Sequence, residues 1–308
     1  MRLIQAAILA LVLGTVSVRA DSIVFSPTGS GQAYTISAID LAVGNSLAVN
    51  SLPFSIGKTF QLDYQASIAA LIGTNGLPFT PAGLASSYQL TAVGSFTEVV
   101  QSFAPGVVTF ALAPTQSSSS FFELYQNTAV VADNLAGTGF NIGTRILAGT
   151  PATALPSIGI YSTALSNGQP TIVPFDRFIS NNYPGITTVA GSGSFLLSVN
   201  VSSFNPAYFH TPIDTLTFNS SLVSPFEQQN PSALFVGSPG GGLPTVVPNI
   251  GTINGVNGPD LQSQADGNFT MHTSSGLFRG PSSPEPSSIV LIMIGLLGVL
   301  VCTRLKRG

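Results

Sequence analysis

Polar and apolar residues alternate one by one over long stretches of this chain. In "TFQLDYQASI", Phe60, Leu62, Tyr64, Ala66 and Ile68 fall on one face, with Thr59, Gln61, Asp63, Gln65 and Ser67 on the other. "SYQLTAVGSFT" alternates through Tyr88, Leu90, Ala92 and Phe96. In "SFLLSVNVS", Phe195, Leu197, Val199 and Val201 oppose Ser194, Ser198, Asn200 and Ser202. A period of two sends successive side chains to opposite sides of a strand, so these segments predict strands with one buried and one wet face. "AYTIS", "VVTFAL", "FFELY", "TRILAG" and "TLTFNSS" are shorter candidates. Gly, Pro and Asn clusters such as "GTNGLPFTPAG" and "SNNYPG" punctuate them as turns. No segment carries a sustained 3.6-residue stripe; "SIAALI" reads as a strand end or one helical turn.

Many short alternating strands with turn-rich connections predict an all-β fold, a single antiparallel β-sandwich, with a jelly roll or an irregular barrel as lesser variants. No regular repeat is visible, which argues against a solenoid. The predicted domain spans residues 21–273 and is followed by a Pro/Ser-rich linker, 274–286. The Gly/Pro-rich stretch 237–259 reads as a long loop, because too little chain follows it to build a second core.

Composition narrows the function. Of 308 residues, 44% are hydrophobic and 7% charged, against a usual charged share of roughly 25%. With 38 Ser and 27 Thr, the polar surface must be largely hydroxyl and amide. Between Asp21 and Ser283 four bases (Lys58, Arg145, Arg177, Arg279) face eleven acids, a net of −7. That surface has no electrostatic footprint for a phosphate backbone, so nucleic acid is excluded as a partner. Cys302, the one cysteine, lies in the C-terminal apolar run, which excludes disulfides, cysteine-based zinc sites and thiol nucleophiles from the domain.

Both ends read as export signals. "MRLIQAAILALVLGTVSVRADS" has a positive start at Arg2, an apolar stretch, and small residues at −3 and −1 before Asp21. It predicts a signal peptide, 1–20, cleaved between Ala20 and Asp21. At the other end Pro284, Glu285 and Pro286 precede the apolar run Ile289 to Cys302 and the cations Arg304, Lys306 and Arg307. Fourteen residues span about 21 Å as a helix, short for a hydrocarbon core of ~30 Å. Adding Ser287, Ser288 and Thr303 gives a predicted transmembrane helix, 287–303, at the lower length limit. The run has no polar face, and the positive-inside rule places the basic tail, 304–308, in the cytoplasm as a stop-transfer signal.

Tripeptide, short span and terminal basic cluster, in that order, resemble the PEP-CTERM sorting signal of Gram-negative bacteria, over about 25 residues. The resemblance implies an exosortase as processing partner, a temporary inner-membrane anchor, and release to the cell surface or extracellular matrix. A GPI signal fits poorly, since such tails generally end apolar. "ELYQNTAVVADNLAGTGFNIGTRILAGTP" and "PDLQSQADGNFTM" are similar to segments of flocculation-associated PEP-CTERM proteins. That similarity implies a role in floc or biofilm formation with exopolysaccharide, and it carries over no catalytic residue.

Chemistry-bearing motifs are sparse. There is no G-x-S-x-G elbow, and His210 and His272 are the only imidazoles. His210, four residues before Asp214, reads as a turn histidine. Gly137, Gly139 and Gly143 in "GTGFNIG" lack dinucleotide-loop spacing and predict a turn between strands. Asp260 and Asp266, near Asn257 and Asn268, lack EF-hand order and read as Asx turns. Asn200, Asn219 and Asn268 stand in sequons that ordinary strand or loop polarity explains. The chain therefore reads as a non-enzymatic matrix protein without cofactor or metal. A secreted carbohydrate-active enzyme is the alternative, and two buried carboxylates in an aromatic cleft would favour it.

Overall fold

The computed structural model describes residues 22–51, 54–104, 106–133, 139–155, 157–167, 169–174, 187–224 and 269–279. All belong to one compact unit, 22–280. Alternation and turn chemistry yield seventeen strands and, among the described residues, no helix. The first eight are β1 (Ile23–Phe25), β2 (Tyr34–Leu41), β3 (Gly44–Val49), β4 (Thr59–Gly73), β5 (Pro78–Phe79), β6 (Gln89–Ala104), β7 (Val107–Leu112) and β8 (Phe121–Asn127). Then come β9 (Thr144–Pro151), β10 (Ile158–Thr163), β11 (Leu165–Ser166), β12 (Gln169–Pro170) and β13 (Ile172–Pro174). The last four are β14 (Thr187–Val189), β15 (Gly191–Phe204), β16 (Thr215–Ser224) and β17 (Phe269–Arg279). "SIAALI" lies inside β4, so it is strand throughout.

The pairings form a circuit. β2 and β3 act as one long strand, pairing β4 on one side and β17 on the other. β4 pairs β6, and the two halves of β6 pair β8 and β7. β8 pairs β9, β7 pairs β10, and β9 and β10 share the two halves of β15. β15 then pairs β16, β16 pairs β17, and β17 returns to β2 and β3. The wall positions are thus β2–β3, β4, β6, β7–β8, β9–β10, β15, β16 and β17: eight, in chain order, all antiparallel. The expected all-β antiparallel class holds. The closed circuit differs from the expected sandwich in having no pair of separate sheets with free edges. The final strand also carries the sheet to Arg279, six residues past the boundary expected at 273.

Eight positions enclose an interior just wide enough for side chains to fill. Phe60, Leu62, Tyr64, Ala66 and Ile68 all point into it and are buried, as their alternation requires. Phe218 of β16 is the hub. Its ring lies 4.8 Å from Tyr64, 5.1 Å from Phe195 and 5.8 Å from Phe122, and Phe195 packs 5.9 Å from Phe96. These offset contacts join β4, β6 and β8 to β15 and β16 across the interior.

Two strands of the wall break at the same level. Residues 113–120 interrupt β7–β8, and 152–157 interrupt the neighbouring β9–β10. Both insertions stay anchored: the Ala113 N–H donates to the Thr97 carbonyl (2.9 Å) and the Ala152 N–H to that of Ser198 (2.8 Å). The Leu112 N–H donates to Ser157 Oγ across the break (2.9 Å).

Replacing the hub tests this packing. Phe218→Ala should cost about 3–5 kcal/mol of unfolding free energy, the range for a buried phenylalanine, read by urea titration followed by circular dichroism. A loss below about 1 kcal/mol would show that the ring does not join β16 to β4 and β8 across the interior.

Candidate functional site

β6 runs Leu90, Ala92, Phe96 into the interior, and the same parity places Glu98 there too, 4% exposed. Its side chain helps to line an almost wholly apolar cavity of about 10 Å3, together with Phe54, Phe60, Val108, Phe110 and Tyr161. Its register neighbours are Phe60 on β4 and Leu112 on β7. Oε2 has no hydrogen-bond partner. Burial alone pushes the group up to about 8, so it is a neutral acid at pH 7.

Among the described residues, the other buried carboxyls lie on the outer face of β4 and β8. Asp63 and Gln65 occupy the side of β4 expected to be wet, yet they are 1% and 2% exposed. Gln61 Nε2 donates to Asp63 Oδ1 (2.8 Å) and to Ser95 Oγ (2.9 Å), which ties β4 to β6. Burial pushes Asp63 up to about 6, against the opposing hydrogen bonds from Gln61 and Ser95. Glu123 accepts from Arg145 Nη1 (2.8 Å) and from the Tyr125 hydroxyl (2.7 Å). Burial and the neighbouring Glu123 both hold the Tyr125 phenol above its ordinary range. Beside this pair, Val93, Phe121, Tyr125 and Phe140 form a small second core.

That second core explains "GTGFNIG". Gln89 Nε2 donates to the Gly139 carbonyl (2.9 Å), while its Oε1 accepts from the N–H groups of Val131 and Ala132 (2.7 and 2.8 Å). The Thr91 hydroxyl donates to the Phe140 carbonyl. Val131, Ala132, Gly139 and Phe140 of the β8–β9 connection are thereby pinned against the barrel wall, with Phe140 buried. Gly139 adopts φ 84° and lies against the Val131 carbonyl, so a side chain there meets both strain and a clash. The described part of the motif is a turn between strands, as its spacing predicts.

The twin break in the wall forms a third feature. It is a recess of about 270 Å3 lined by Gln116, Ser117, Ser118, Ser120, Thr150 and Thr153, with Pro114 and Pro151. The lining contains neither acid nor base. Gln116 is held in place by bonds to both backbone groups of Thr97 (2.9 and 2.8 Å).

His210 lies exposed in the β15–β16 connection, its N–H donating to the Val24 carbonyl (2.9 Å), and Asp214 is exposed nearby. Asn200 and Asn219 are exposed strand residues. His272 lies on β17, in register with Asn45 and Val223. Ala20, Asp21, Pro284, Glu285, Pro286, Arg304, Lys306 and Arg307 lie outside the described residues, as do Gly137, Asp260 and Asp266 and the segment expected to span a membrane. Among the described residues no helix is long and apolar enough to cross a membrane, and no three His, Cys, Asp or Glu gather as metal ligands.

Among the described residues, fold and site together define a closed antiparallel barrel with one acid sealed inside and a neutral hydroxyl recess in its wall. Compared with known protein families, characterised proteins and solved structures, the chain matches none.

Glu98 makes stability depend on pH. The unfolded carboxyl ionises near 4.5 and the folded one near 8. Between those values the folded protein keeps a proton that the unfolded chain has released, so stability falls as pH rises and levels off above about 8. The slope approaches about 1.4 kcal/mol per pH unit midway between them. Asp63 adds a fall of the same sign between 3.8 and about 6. Urea unfolding at pH 6, 7 and 8 should show the loss in the wild type and little of it in Glu98→Gln. Equal slopes in the two proteins would contradict the buried acid.

Proposed function

We propose that this protein is an exported surface or extracellular-matrix component of a Gram-negative bacterium that supports flocculation or biofilm cohesion with exopolysaccharide. The observation that carries this reading is the uncharged, hydroxyl-lined recess where two neighbouring strands break at the same level. Polysaccharide presents hydroxyls and ring oxygens, and a recess of hydroxyl and amide groups offers both donors and acceptors to them. The surrounding surface carries little charge to repel neighbouring chains or cells. The closed sheet presents that recess in its wall.

Export is proposed on the two ends. The signal peptide is removed between Ala20 and Asp21, and the helix 287–303 holds the precursor in the inner membrane with Arg304, Lys306 and Arg307 inside. Pro284 and Pro286 keep the preceding segment extended, because proline disfavours helix at its own position and the one before. An extended segment at the membrane edge suits capture by an exosortase, which frees the domain. The alternative, a carbohydrate-active enzyme, calls for two carboxyls facing one another across a cleft at ~5–9.5 Å. Here Glu98 faces inward while Asp63 faces outward, and Glu123 is engaged by Arg145 and Tyr125.

Deleting the gene should weaken floc or biofilm cohesion while polysaccharide synthesis continues, measured by aggregate settling and total extracellular carbohydrate. Unchanged aggregation across growth conditions would overturn the role. Mass spectrometry of surface-extracted protein should find a mature chain beginning at Asp21 and ending near Pro286. Peptides from Ile289 to Gly308 in that fraction would sink the sorting route. Ala at both Pro284 and Pro286 should leave uncleaved precursor with the membranes.

A further inference from the structure

The recess at the twin break borders a stretch of bare wall. Leu112, just before Pro114 of the lining, donates its N–H to Ser157 Oγ (2.9 Å), and the next residue, Ile158, begins β10 facing outward. From there the outer faces of five strands run in register. Ile158 stands opposite Leu196, and Leu196 opposite Asn219. The next row is Ser102, Thr109, Ile160, Ser194 and Ser221. Beyond it lie Ala104, Val107, Ser162, Ser192 and Val223. All of these residues are at least partly exposed, and Ile158, Ile160 and Val107 are left 62%, 41% and 38% exposed. None is an acid or a base. The outer face of β4 and β8 differs, since its carboxyls are covered.

Given that the recess takes polysaccharide, we infer that it is one end of a longer track: an internal stretch of a neutral, hydroxyl-only glycan lies with one sugar in the recess and the following sugars along the outer faces of β7, β10 and β15.

Charge, chemistry and area select that occupant. A sugar ring has hydroxyl edges and C–H faces. Along the track aliphatic side chains neighbour hydroxyls: Ile160 is flanked by Thr109 and Ser194, and Ser162 by Val107 and Ser192. The hydroxyls donate and accept, and the aliphatic groups cover C–H surface. Gln116 spends its amide on both backbone groups of Thr97 and on the Ala113 carbonyl, so it shapes the recess and leaves binding to the hydroxyls. A carboxylate or ammonium on the sugar would lose hydration here with no charged side chain in the rows to pair it. Three rows across five strands cover about 19 by 13 Å, roughly 250 Å2, at ordinary strand spacing. Each partner of a stable protein complex buries about 800 Å2, so the face suits a thin polymer and is too small for a second copy.

The test uses full-length protein in a detergent without a sugar headgroup. Affinity electrophoresis compares neutral dextran, pullulan and laminarin with anionic alginate and cationic chitosan. At least one neutral polymer should retard the protein, and neither charged one should. Oligosaccharides of two and six sugars from the retarding polymer are then titrated against protein with labelled isoleucine methyls, followed by NMR. The hexamer should bind about tenfold tighter than the dimer and shift Ile158 and Ile160, while Ile142, exposed elsewhere, stays in place. Ile160→Asp should remove most of that length preference. Equal affinity for the two lengths, or shifts that miss Ile158 and Ile160, would overturn the track and leave the recess as a polysaccharide site. Retardation by alginate or chitosan would overturn the neutral ligand. Retardation by none of the five would overturn the track together with the polysaccharide reading of the recess. Shifts at Ile158 and Ile160 that grow with protein concentration alone would reassign the face to a second copy.

Discussion

Backbone hydrogen bonds along Phe269–Arg279 close the sheet. This strand pairs β16 on one side and the continuous β2–β3 strand on the other, and removing it would leave two long open edges. An open edge exposes a row of unpaired N–H and C=O groups and invites pairing with other chains. Closure removes that liability and turns a run of hairpins into a barrel. It also explains how so uncharged a chain stays organised, since nearly all its wall backbone is paired internally and its polarity can reside in hydroxyls. A wall closed in this way keeps association with neighbours at the side-chain level.

Closure fixes what lies inside. With an interior filled by aromatic rings around Phe218, any inward polar residue is trapped among them, and Glu98 is one. The same wall carries a second layer of buried polarity outside, where Gln61 bridges Asp63 and Ser95 and Glu123 holds Arg145 and Tyr125. Ordered side-chain networks of this kind tie adjacent strands in one register. Stability and its pH response follow from which face each carboxyl meets.

Period-two alternation located the wall strands and their inward residues from Phe60 to Ile68, because a strand's side chains must alternate. Closure was not legible: it depends on which distant strands pair, and β17 meets β2 and β3 across more than two hundred residues of chain. Asp63 and Gln65 were read as wet because alternation reports a face and says nothing of what covers it. Glu98 was missed although the parity of Leu90, Ala92 and Phe96, carried two residues further, places it inside. The apolar outer neighbours Phe121 and Tyr125 were the available sign that Glu123 sits in a covered patch. The recess at residues 113–120 and 152–157 had no local signature, since it arises only when two strand breaks meet side by side.

Cysteine trapping tests the closure most directly, because the one native cysteine, Cys302, lies far along the chain from the sheet. Met271 and Ser46 are register partners on β17 and β3. Paired strand positions bring Cα atoms within the span a disulfide bridges. In a Cys302→Ser background, Met271→Cys with Ser46→Cys should cross-link on mild oxidation, seen as a bridged peptide by mass spectrometry. Cross-linking at the shifted pair Phe269→Cys with Ser46→Cys, or none at either pair, would contradict a barrel closed by its last strand.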